Sequence, residues 1–408
     1  FLCHRLPFPP NKGDKIRSFN ILKFLSARHK VFLACPIDDG ADLAFLPELR
    51  SYTQGFALQR IVPRWKKLSA LTGLLERASI SVRYFYSQKL QREIDQLIAL
   101  RGFDAYFCYS SPMAEYLFRS RKAQSITPST LVMDLIDIDS YKWQQYAARS
   151  PLWQSWIYRY EAKHLAIYEK RIADGFDRLL VVSDQERSHF PGGAPDNLFA
   201  MSNGVDLEYF FPRNACGKEG EGLALVFTGV MDYWPNVEGV KWFVEKVFPR
   251  IQALKPTVKL YIVGSRPTGE VIGLGRTPGV LVTGFVEDVR AYLAEAAVCI
   301  VPLRIARGIQ NKVLEAMAMG KAVVATSQAL EGIRASAGKD LLVGDSEEGF
   351  AEAVLRLLRD PDGAREMGKS ARACMEKHYS WDSNLAFLDE ILPSASRGLE
   401  NRAARAGS

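Results

Sequence analysis

Residues 297–326 read AVCIVPLRIARGIQNKVLEAMAMGKAVVAT. Two short apolar runs, Ala297–Val301 and Ala322–Ala325, flank an amphipathic segment from Lys312 to Met319. Apolar runs on either side of a helical pattern predict two parallel strands that are joined by a crossover helix. This stretch therefore predicts an α/β fold built on a parallel sheet.

The same alternation of apolar runs and helical patterns continues through both halves of the chain. In the first half, the predicted strands are Val31–Cys35, Ala105–Tyr109, Thr130–Asp134 and Arg178–Val182. In the second half, they are Leu223–Phe227, Lys259–Val263, Val280–Val282 and the two runs named above. We also expect Phe1-Leu2-Cys3 to be the stub of a first strand. The pattern predicts two doubly wound α/β domains.

Composition indicates where the two domains meet. Residues 213–222 are rich in glycine and charged residues and have no apolar periodicity, as is typical of a linker. We therefore predict a first domain over residues 1–212 and a second over 213–380. A last amphipathic segment occupies 381–395, and residues 396–408 lack a core pattern and form a tail.

Composition and charge exclude several classes of protein. The chain has 408 residues, of which 48% are hydrophobic and 24% charged, as in ordinary globular proteins. The net charge of +7 favours phosphorylated ligands or an anionic membrane surface. No run of five basic residues supports a nucleic-acid partner, and the scattered cysteines offer no metal-ligand spacing. No apolar stretch is long enough to span a membrane, so we predict a cytoplasmic protein.

Two loops of the first half carry candidate functional residues. Gly13 lies between a predicted strand and a helix, where it permits close approach of a phosphate, and Lys12 and Arg17 add positive charge. An ordinary surface turn capped by Asp14 is the alternative.

The second loop follows a predicted strand and contains three carboxylates, Asp134, Asp137 and Asp139. In an extended register all three would face one side, where a cation or a polar substrate would compensate their charge. An acidic edge that caps the helix near Lys142 is the alternative.

The second half contains a third loop and a fourth. Gly229 ends a predicted strand shortly before a helix, although it also fits an ordinary turn. Arg304, Arg307 and Lys312 surround Gly308 at a helix N-terminus, a concentration of charge that suits a diphosphate. Glu315 lies one turn further along, within reach of sugar hydroxyls. A solvated basic helix start is the alternative for this loop.

These loops carry a resemblance to a known family. Asn311–Thr326, with Asn203–Asp206 and Thr228–Asp232, resembles the retaining glycosyltransferases of family 4. The stretches His4–Arg17, Asp137–Trp143 and Pro302–Gly308 resemble the sugar transferases associated with PEP-CTERM/exosortase exopolysaccharide systems. The resemblance runs from His4 to about Leu392. It has one departure, because the wider family often carries a Glu where this chain has Arg307.

The resemblance implies a GT-B fold, with two Rossmann-like domains facing across a cleft and residues 381–395 crossing back to the first domain. It implies transfer of a sugar from a UDP- or GDP-sugar to a glycan or lipid-linked acceptor, with retention and without an obligatory metal. The implied donor-binding residues are Gly13, Gly229, Phe285, Val286, Arg304, Gly308, Asn311, Lys312 and Glu315. The implied catalytic residues are Asp137, Asp139, Lys312 and Arg307. The implied acceptor-side residues are Lys12, Asp14 and Arg17.

The segment from Arg64 to Arg77 combines basic residues and Trp65 with an amphipathic pattern. It suits peripheral contact with the cytoplasmic face of the inner membrane, and a core-packing helix with a basic outer face is the alternative.

A sugar-nucleotide epimerase or a non-catalytic sugar-nucleotide-binding protein with the same two-domain fold is the alternative function. An epimerase needs paired acids or a histidine to move a proton at carbon, and Arg307 replaces one expected acid.

Overall fold

The computed structural model describes residues 1–10, 12–61, 77–120, 129–212, 223–306 and 308–393. The predicted linker, the predicted tail, Arg307 and the membrane segment apart from Arg77 lie outside the described residues. The chain divides into two compact units. Unit 1 comprises Phe1–Ser202 and the chain from Leu385 onward, and unit 2 comprises Asn203–Asn384.

The described residues of unit 1 form a parallel sheet of seven strands in the order β3-β2-β1-β4-β5-β6-β7. The strands are β1 (Leu2–Cys3), β2 (Phe32–Ile37), β3 (Gly55–Arg60), β4 (Ala105–Tyr109), β5 (Thr130–Ile136), β6 (Arg178–Val181) and β7 (Leu198–Ala200). The helices are α1 (Gly13–Ser26), α2 (Leu46–Leu49), α3 (Ile80–Phe85), α4 (Gln88–Arg101), α5 (Ala114–Arg119), α6 (Asp139–Arg149), α7 (Leu152–Gly175) and α8 (Asp184–Ser188). Two short 3-10 helices cover Gly40–Phe45 and Ser111–Met113.

Unit 2 contains a second parallel sheet, in the order β10-β9-β8-β11-β12-β13. Its strands are β8 (Ala224–Thr228), β9 (Lys259–Val263), β10 (Val280–Gly284), β11 (Val298–Val301), β12 (Val323–Ala325) and β13 (Leu342–Val343). The helices that follow β8 to β10 are α9 (Trp234–Trp242), α10 (Phe248–Leu254), α11 (Gly269–Leu274) and α12 (Val289–Glu295), with a π-helical segment at Phe243–Val247. After β11 come α13 (Asn311–Ala318), α14 (Ser327–Leu330), α15 (Glu347–Arg359), α16 (Pro361–His378), α17 (Trp381–Leu385) and α18 (Phe387–Ile391).

The two parallel sheets confirm the predicted pair of doubly wound α/β domains. Every strand predicted from an apolar run is present, and β4 and β9 have the predicted bounds. The strand expected at Phe1-Leu2-Cys3 is present as β1, which pairs with both β2 and β4. Strands β3, β7 and β13 were not predicted. They lie at sheet edges, where a strand can be short and only partly buried, so its sequence carries little apolar periodicity.

The segment just before the predicted linker packs with unit 2. The Val205 N–H donates to the carbonyl of Tyr379 at 2.8 Å. The guanidinium of Arg372 donates to the carbonyl of Phe210 at 2.6 Å. The two compact units divide between Ser202 and Asn203, about ten residues before the boundary expected from composition, and these bonds hold the intervening segment in unit 2.

Candidate functional site

Each sheet reverses its strand order at one point, and open parallel sheets bind ligands beside the carboxyl ends of the strands at that point. In unit 1 the reversal lies between β1 and β4, and in unit 2 it lies between β8 and β11. Gly229 follows β8, and the loop with Arg304 and Gly308 follows β11. The loop with Gly13 follows β1. The fold therefore positions the predicted loops at the ligand-binding edges of their own sheets.

Lys312 is the centre of the candidate donor site in unit 2. Its ammonium group donates to the side-chain oxygen of Asn236 at 2.6 Å and lies 5.0 Å from the centroid of the Phe227 ring. Asn236 in turn donates to the carbonyl of Val230 at 2.8 Å, which fixes the amide. Because the hydrogen-bond partner of Lys312 is a neutral amide, the positive charge remains for an anionic ligand.

Gly229 keeps the space around this ammonium group open. A Cβ atom at Gly229 would lie 2.7 Å from Nδ2 of Asn236 and 3.3 Å from Nζ of Lys312. The first distance is shorter than a van der Waals contact allows, so a side chain here would displace Asn236. The need for glycine at this position arises from close packing.

Burial changes the acid–base properties of Lys312 and Glu315, which lie one turn apart on α13. Burial lowers the pKa of the Lys312 ammonium to about 8, although Glu315 opposes that change. Burial raises the pKa of the Glu315 carboxyl to about 7, and here Lys312 opposes the change. Both charged forms are therefore poorly solvated, a property that is common at functional sites.

The N-terminal end of α13 presents further groups to a ligand. Gly308 has φ +57°, a left-handed conformation that favours glycine, and the N-cap Gln310 makes no side-chain capping hydrogen bond. The side-chain oxygen of Asn311 is buried and accepts no hydrogen bond within the described chain. This end of the helix thus offers backbone N–H groups and a buried acceptor beside Lys312.

Arg304 lies on the same loop but is engaged by an acid. Its guanidinium lies 3.3 Å from Oε1 of Glu238 and 5.8 Å from the ring centroid of Trp242, and its side chain is 54% exposed. An exposed pair of this kind contributes little to stability, so a phosphate could replace the carboxylate at small cost. Arg307, the other predicted arginine, lies outside the described residues.

Phe285 and Val286 follow β10 at the same edge of the sheet. Phe285 is 76% exposed and Val286 is half-buried. Gly284, the last residue of β10, has φ +72° and turns the chain at this point. An exposed aromatic ring at a ligand-binding edge offers a surface on which a nucleobase can stack.

In unit 1, Asp14 lies in the first turn of α1, after Lys12 at the N-cap and Gly13 at the first helical position. Its carboxylate accepts a hydrogen bond from Arg5 at 2.8 Å and lies 3.4 Å from Nε2 of His4. Although burial raises the pKa of Asp14, His4 and Arg5 hold it well below its usual range. Asp14 is therefore a fixed negative charge beside the loop.

Arg17, predicted on the acceptor side, is 1% exposed. Its guanidinium binds both carboxylate oxygens of Asp134, at 2.7 and 3.2 Å, and donates to the carbonyl of Met201 at 2.9 Å. Asp134 is 0% exposed. The pair joins α1 to β5 inside the unit, which is the geometry of a buried structural ion pair. Contact between Arg17 and an acceptor stays a prediction.

The three carboxylates in and after the end of β5 do not continue one extended register. Ile136 has φ +70°, the pairing of β5 with β6 is shifted between Asp134 and Ile136, and Asp139 begins α6. Asp137 is half-buried in the turn. Asp139 accepts a hydrogen bond from Ser111 at 3.0 Å. The expectation that all three carboxylates face one side is therefore wrong, because the strand bends before the second of them.

Two buried glutamates position this turn, and sequence patterns did not indicate them. Glu169 on α7 accepts the Ser140 N–H at 3.0 Å and also bonds the Ser140 hydroxyl. Glu186 on α8 accepts the Ile138 N–H at 3.0 Å. Both carboxylates come from helices later in the chain than the turn. The only signal in the sequence is a Glu on the apolar face of a helical pattern.

Over the described ranges, no group of three or more His, Cys, Asp or Glu side chains is arranged to hold a metal ion. Over the same ranges, no helix combines the length and the apolar character that crossing a membrane requires.

Comparison with known proteins gives an independent view of this chain. Residues 222–360 match the family described as "Glycosyl transferases group 1". A Klebsiella pneumoniae protein described as "Uncharacterized 44.6 kDa protein in cps region" is 22% identical over 400 residues, which cover 93% of this chain and 95% of that protein. A GDP-mannose-dependent monoacylated alpha-(1-6)-phosphatidylinositol monomannoside mannosyltransferase of Corynebacterium glutamicum is 26% identical over 251 residues, which cover 56% of this chain and 65% of that protein.

Solved structures show the same fold. Sucrose-phosphate synthase of Thermosynechococcus elongatus has a TM-score of 0.65 at 17% identity, over 100% of this chain and 99% of that one. HepE of Anabaena, in complex with UDP, has a TM-score of 0.65 at 14% identity, over 95% and 98%. The predicted GT-B fold is confirmed. The sequence match to the group 1 glycosyl transferases lies within unit 2, and the solved structures show the fold of the whole chain.

Proposed function

We propose that this chain, whose second unit matches the group 1 glycosyl transferases, moves a sugar from a UDP- or GDP-sugar to a glycan or lipid-linked acceptor, with retention of configuration. The Lys312 ammonium carries the proposal. It is partly desolvated, paired with a neutral amide and located at the N-terminus of α13 beside Gly229. A half-buried cation at a helix N-terminus suits the diphosphate of a nucleotide sugar.

The remaining parts of a donor site are arranged along the same sheet edge. Phe285 offers a stacking surface for the base, and Glu315 offers a carboxylate to ribose hydroxyls. Asn311 holds a buried oxygen that would accept a hydrogen bond from the donor. Gly308 allows the backbone to approach the phosphates, and a contribution from Gly13 of unit 1 stays part of the proposal.

In the reaction, negative charge develops on the diphosphate as its bond to the sugar breaks. Lys312, Arg304 and Arg307, with the N–H groups at the start of α13, would stabilise that charge in place of a metal ion. The acceptor hydroxyl would attack on the face from which the diphosphate leaves, and the departing phosphate would help to take its proton. This course produces retention and needs no nucleophilic side chain.

Asp137 and Asp139 are the proposed groups on the acceptor side, as ligands of sugar hydroxyls or as a proton relay. Support comes from the position of the turn at the carboxyl end of β5 and from its fixation by Ser111, Glu169 and Glu186. Lys12 and Asp14 lie at the start of α1 and complete the proposed acceptor surface.

The proposed setting is polysaccharide biosynthesis at the cytoplasmic face of the membrane. The Klebsiella pneumoniae relative is described by its place in a cps region, and the Corynebacterium glutamicum relative by a phosphatidylinositol mannoside substrate. HepE was solved with UDP and, in a further complex, with UDP and glucose. These descriptions support an acceptor that is a glycan or is lipid-linked, and either UDP or GDP in the donor.

The placement of the donor is tested by calorimetry with UDP and GDP on wild type, Lys312→Met and the control Lys246→Met. Lys246 is an exposed lysine of the same unit. Loss of one charge-assisted contact at about 1.5–3 kcal/mol weakens affinity roughly 10- to 150-fold. We expect this loss for Lys312→Met alone. Equal affinities in all three proteins would refute the placement.

The reaction is tested by incubation with labelled UDP- and GDP-sugars. We expect slow release of free sugar without acceptor, and transfer with the anomeric configuration of the donor when a glycan acceptor is added. Formation of an epimer would indicate an isomerase. Activity that EDTA abolishes and Mg²⁺ or Mn²⁺ restores would contradict metal independence.

A further inference from the structure

A cavity of about 250 Å³ lies within unit 1 and is lined by side chains from α3, α5 and α7 and from the residues before α3. None of its lining residues is among the predicted donor or acceptor residues. The volume is below the roughly 300–1,000 Å³ typical of pockets that enclose a whole drug-sized ligand. The cavity therefore suits a small group and not a complete nucleotide sugar.

Positive charge dominates the walls of this cavity. Four of the lining residues are arginines, namely Arg77, Arg83, Arg119 and Arg171. Glu115 is the single carboxylate that lines the cavity within the part of the chain that the structure describes. The lining thus carries a formal charge of about +3 if His164 is neutral. A concave surface with this excess attracts anions, and arginine is suited to bidentate binding of phosphate or carboxylate oxygens.

Two acids at or near the cavity, Glu115 and Glu161, have defined partners, and those of Glu115 include two of the lining arginines. Glu115 bonds the Arg119 guanidinium, accepts the Tyr168 hydroxyl at 3.1 Å and lies 4.0 Å from Arg171. Glu161 on α7 accepts three hydrogen bonds at the start of α3, from the Ser79 hydroxyl at 2.7 Å and from the N–H groups of residues 80 and 81. Because these acids hold the helices together, the lining keeps its excess of guanidinium groups over carboxylates.

Two of the arginines are held in place by aromatic rings. The guanidinium carbon of Arg119 lies 4.4 Å from the centroid of Tyr86, and that of Arg171 lies 4.1 Å from the centroid of Phe118. A ring contact occupies the face of a guanidinium, so a ligand would approach along the N–H edge, part of which already faces Glu115. Such arginines lose little conformational freedom when they bind an anion, which favours binding.

We propose that this arginine-lined cavity binds a phosphate or diphosphate group of the acceptor. The inference rests on the proposed function for the existence of an acceptor, and on the cavity alone for the chemistry of the ligand. A phosphate group of this kind is found both in soluble sugar phosphates and in the headgroups of lipid-linked glycans. The cavity would select phosphorylated acceptors from neutral glycans.

Binding of inorganic pyrophosphate, measured by calorimetry with UDP and GDP present to fill any donor site, tests the proposal. The test variant is Arg83→Gln with Arg171→Gln. The matched control is Arg92→Gln with Arg159→Gln, which removes the same charge from exposed positions on α4 and α7. We expect at least about a tenfold loss of affinity in the test variant and under twofold in the control.

A second arm measures flotation with vesicles of phosphatidylglycerol or of phosphatidylcholine. If only the test variant loses binding to phosphatidylglycerol, the ligand is a lipid headgroup. If only pyrophosphate binding is lost, the ligand is a soluble phosphate. Equal behaviour of the test variant and the control in both arms, or no binding by the wild type in either, overturns the proposal.

Glu115→Gln should change the affinity for pyrophosphate in the opposite direction from the double arginine variant. It removes the one lining carboxylate and keeps its shape, so pyrophosphate should bind more tightly than to wild type. Unchanged or weaker binding by a folded Glu115→Gln protein would contradict the proposal, and this result also decides the matter if the double variant does not fold. The proposed function can fail separately, through absence of sugar transfer, while these binding results stand.

Discussion

The buried pair of Arg17 and Asp134 allows a quantitative test of how unit 1 is held together. Arg17→Met keeps most of the side-chain volume and removes the guanidinium's hydrogen bonds, among them two to Asp134 and one to the carbonyl of Met201. Asp134 is 0% exposed, so its carboxylate would remain inside the protein without a cation. The substitution should therefore destabilise unit 1 strongly.

The expected magnitude follows from the burial of both partners. Breaking a buried ion pair by removing one partner costs about 3–5 kcal/mol. For a unit of this size, each kcal/mol lowers the melting temperature by about 2–4 °C, so the expected decrease is about 6–20 °C. In Arg17→Met with Asp134→Asn, no buried charge remains. Asn at 134 can still accept the Ile136 N–H, which Asp134 accepts at 3.0 Å, so most of the loss should be recovered.

The assay is denaturant unfolding combined with hydrogen exchange of the amides of β1 and β5, which reports on unit 1 alone if the two units unfold separately. A change below about 1 kcal/mol in Arg17→Met would refute the reasoning, because an uncompensated buried carboxylate is more costly than that. Sugar transfer by the double variant separates two roles of Arg17. Recovered stability with recovered transfer indicates a structural role, and recovered stability without transfer indicates contact with the acceptor.

Three further outcomes are expected. Nucleotide affinity, measured by calorimetry, should fall as pH rises through about 8, because Lys312 then loses the proton that its phosphate contact requires. Lys312→Met should flatten this pH profile. A profile for Lys312→Met that equals that of the wild type would contradict the expectation. Gly229→Ala should weaken nucleotide binding about tenfold or more without unfolding unit 2, because the Cβ of the alanine would lie 2.7 Å from the side-chain amide of Asn236. If the variant binds nucleotide with wild-type affinity, the open space beside Gly229 is not needed for binding. Burial raises the pKa of Glu169 to about 8, so its contribution to the free energy of unfolding should be present at low pH and be lost between about pH 4.5 and 8. Glu169→Gln mimics the neutral acid and should remove that part of the pH dependence in chemical denaturation. Parallel plots of unfolding free energy against pH for the two proteins would refute this expectation.

The loops of the candidate donor site could be located from sequence because their signals are local. A strand that ends in glycine, followed by a helix start with basic residues, is enough to predict that Gly229, Gly308 and Lys312 lie at one sheet edge. The partners of these residues could not be located in the same way. Asn236 approaches Lys312 only because β8 and β11 are neighbours in the sheet, although the two residues are 76 positions apart in the chain.

The amino-acid sequence by itself determined the fold class, most of the strands and the loops at the carboxyl ends of the strands. These features depend on apolar periodicity and on short-range backbone preferences, which are properties of adjacent residues. Tertiary structure alone decided which charges are neutralised inside the protein and which remain for a ligand. Arg17 is bound by Asp134, the Asp137 turn is fixed by Glu169 and Glu186, and Lys312 keeps its charge beside a neutral amide. The electrostatic state of a side chain depends on its burial and its partners, and packing brings those partners from distant parts of the chain.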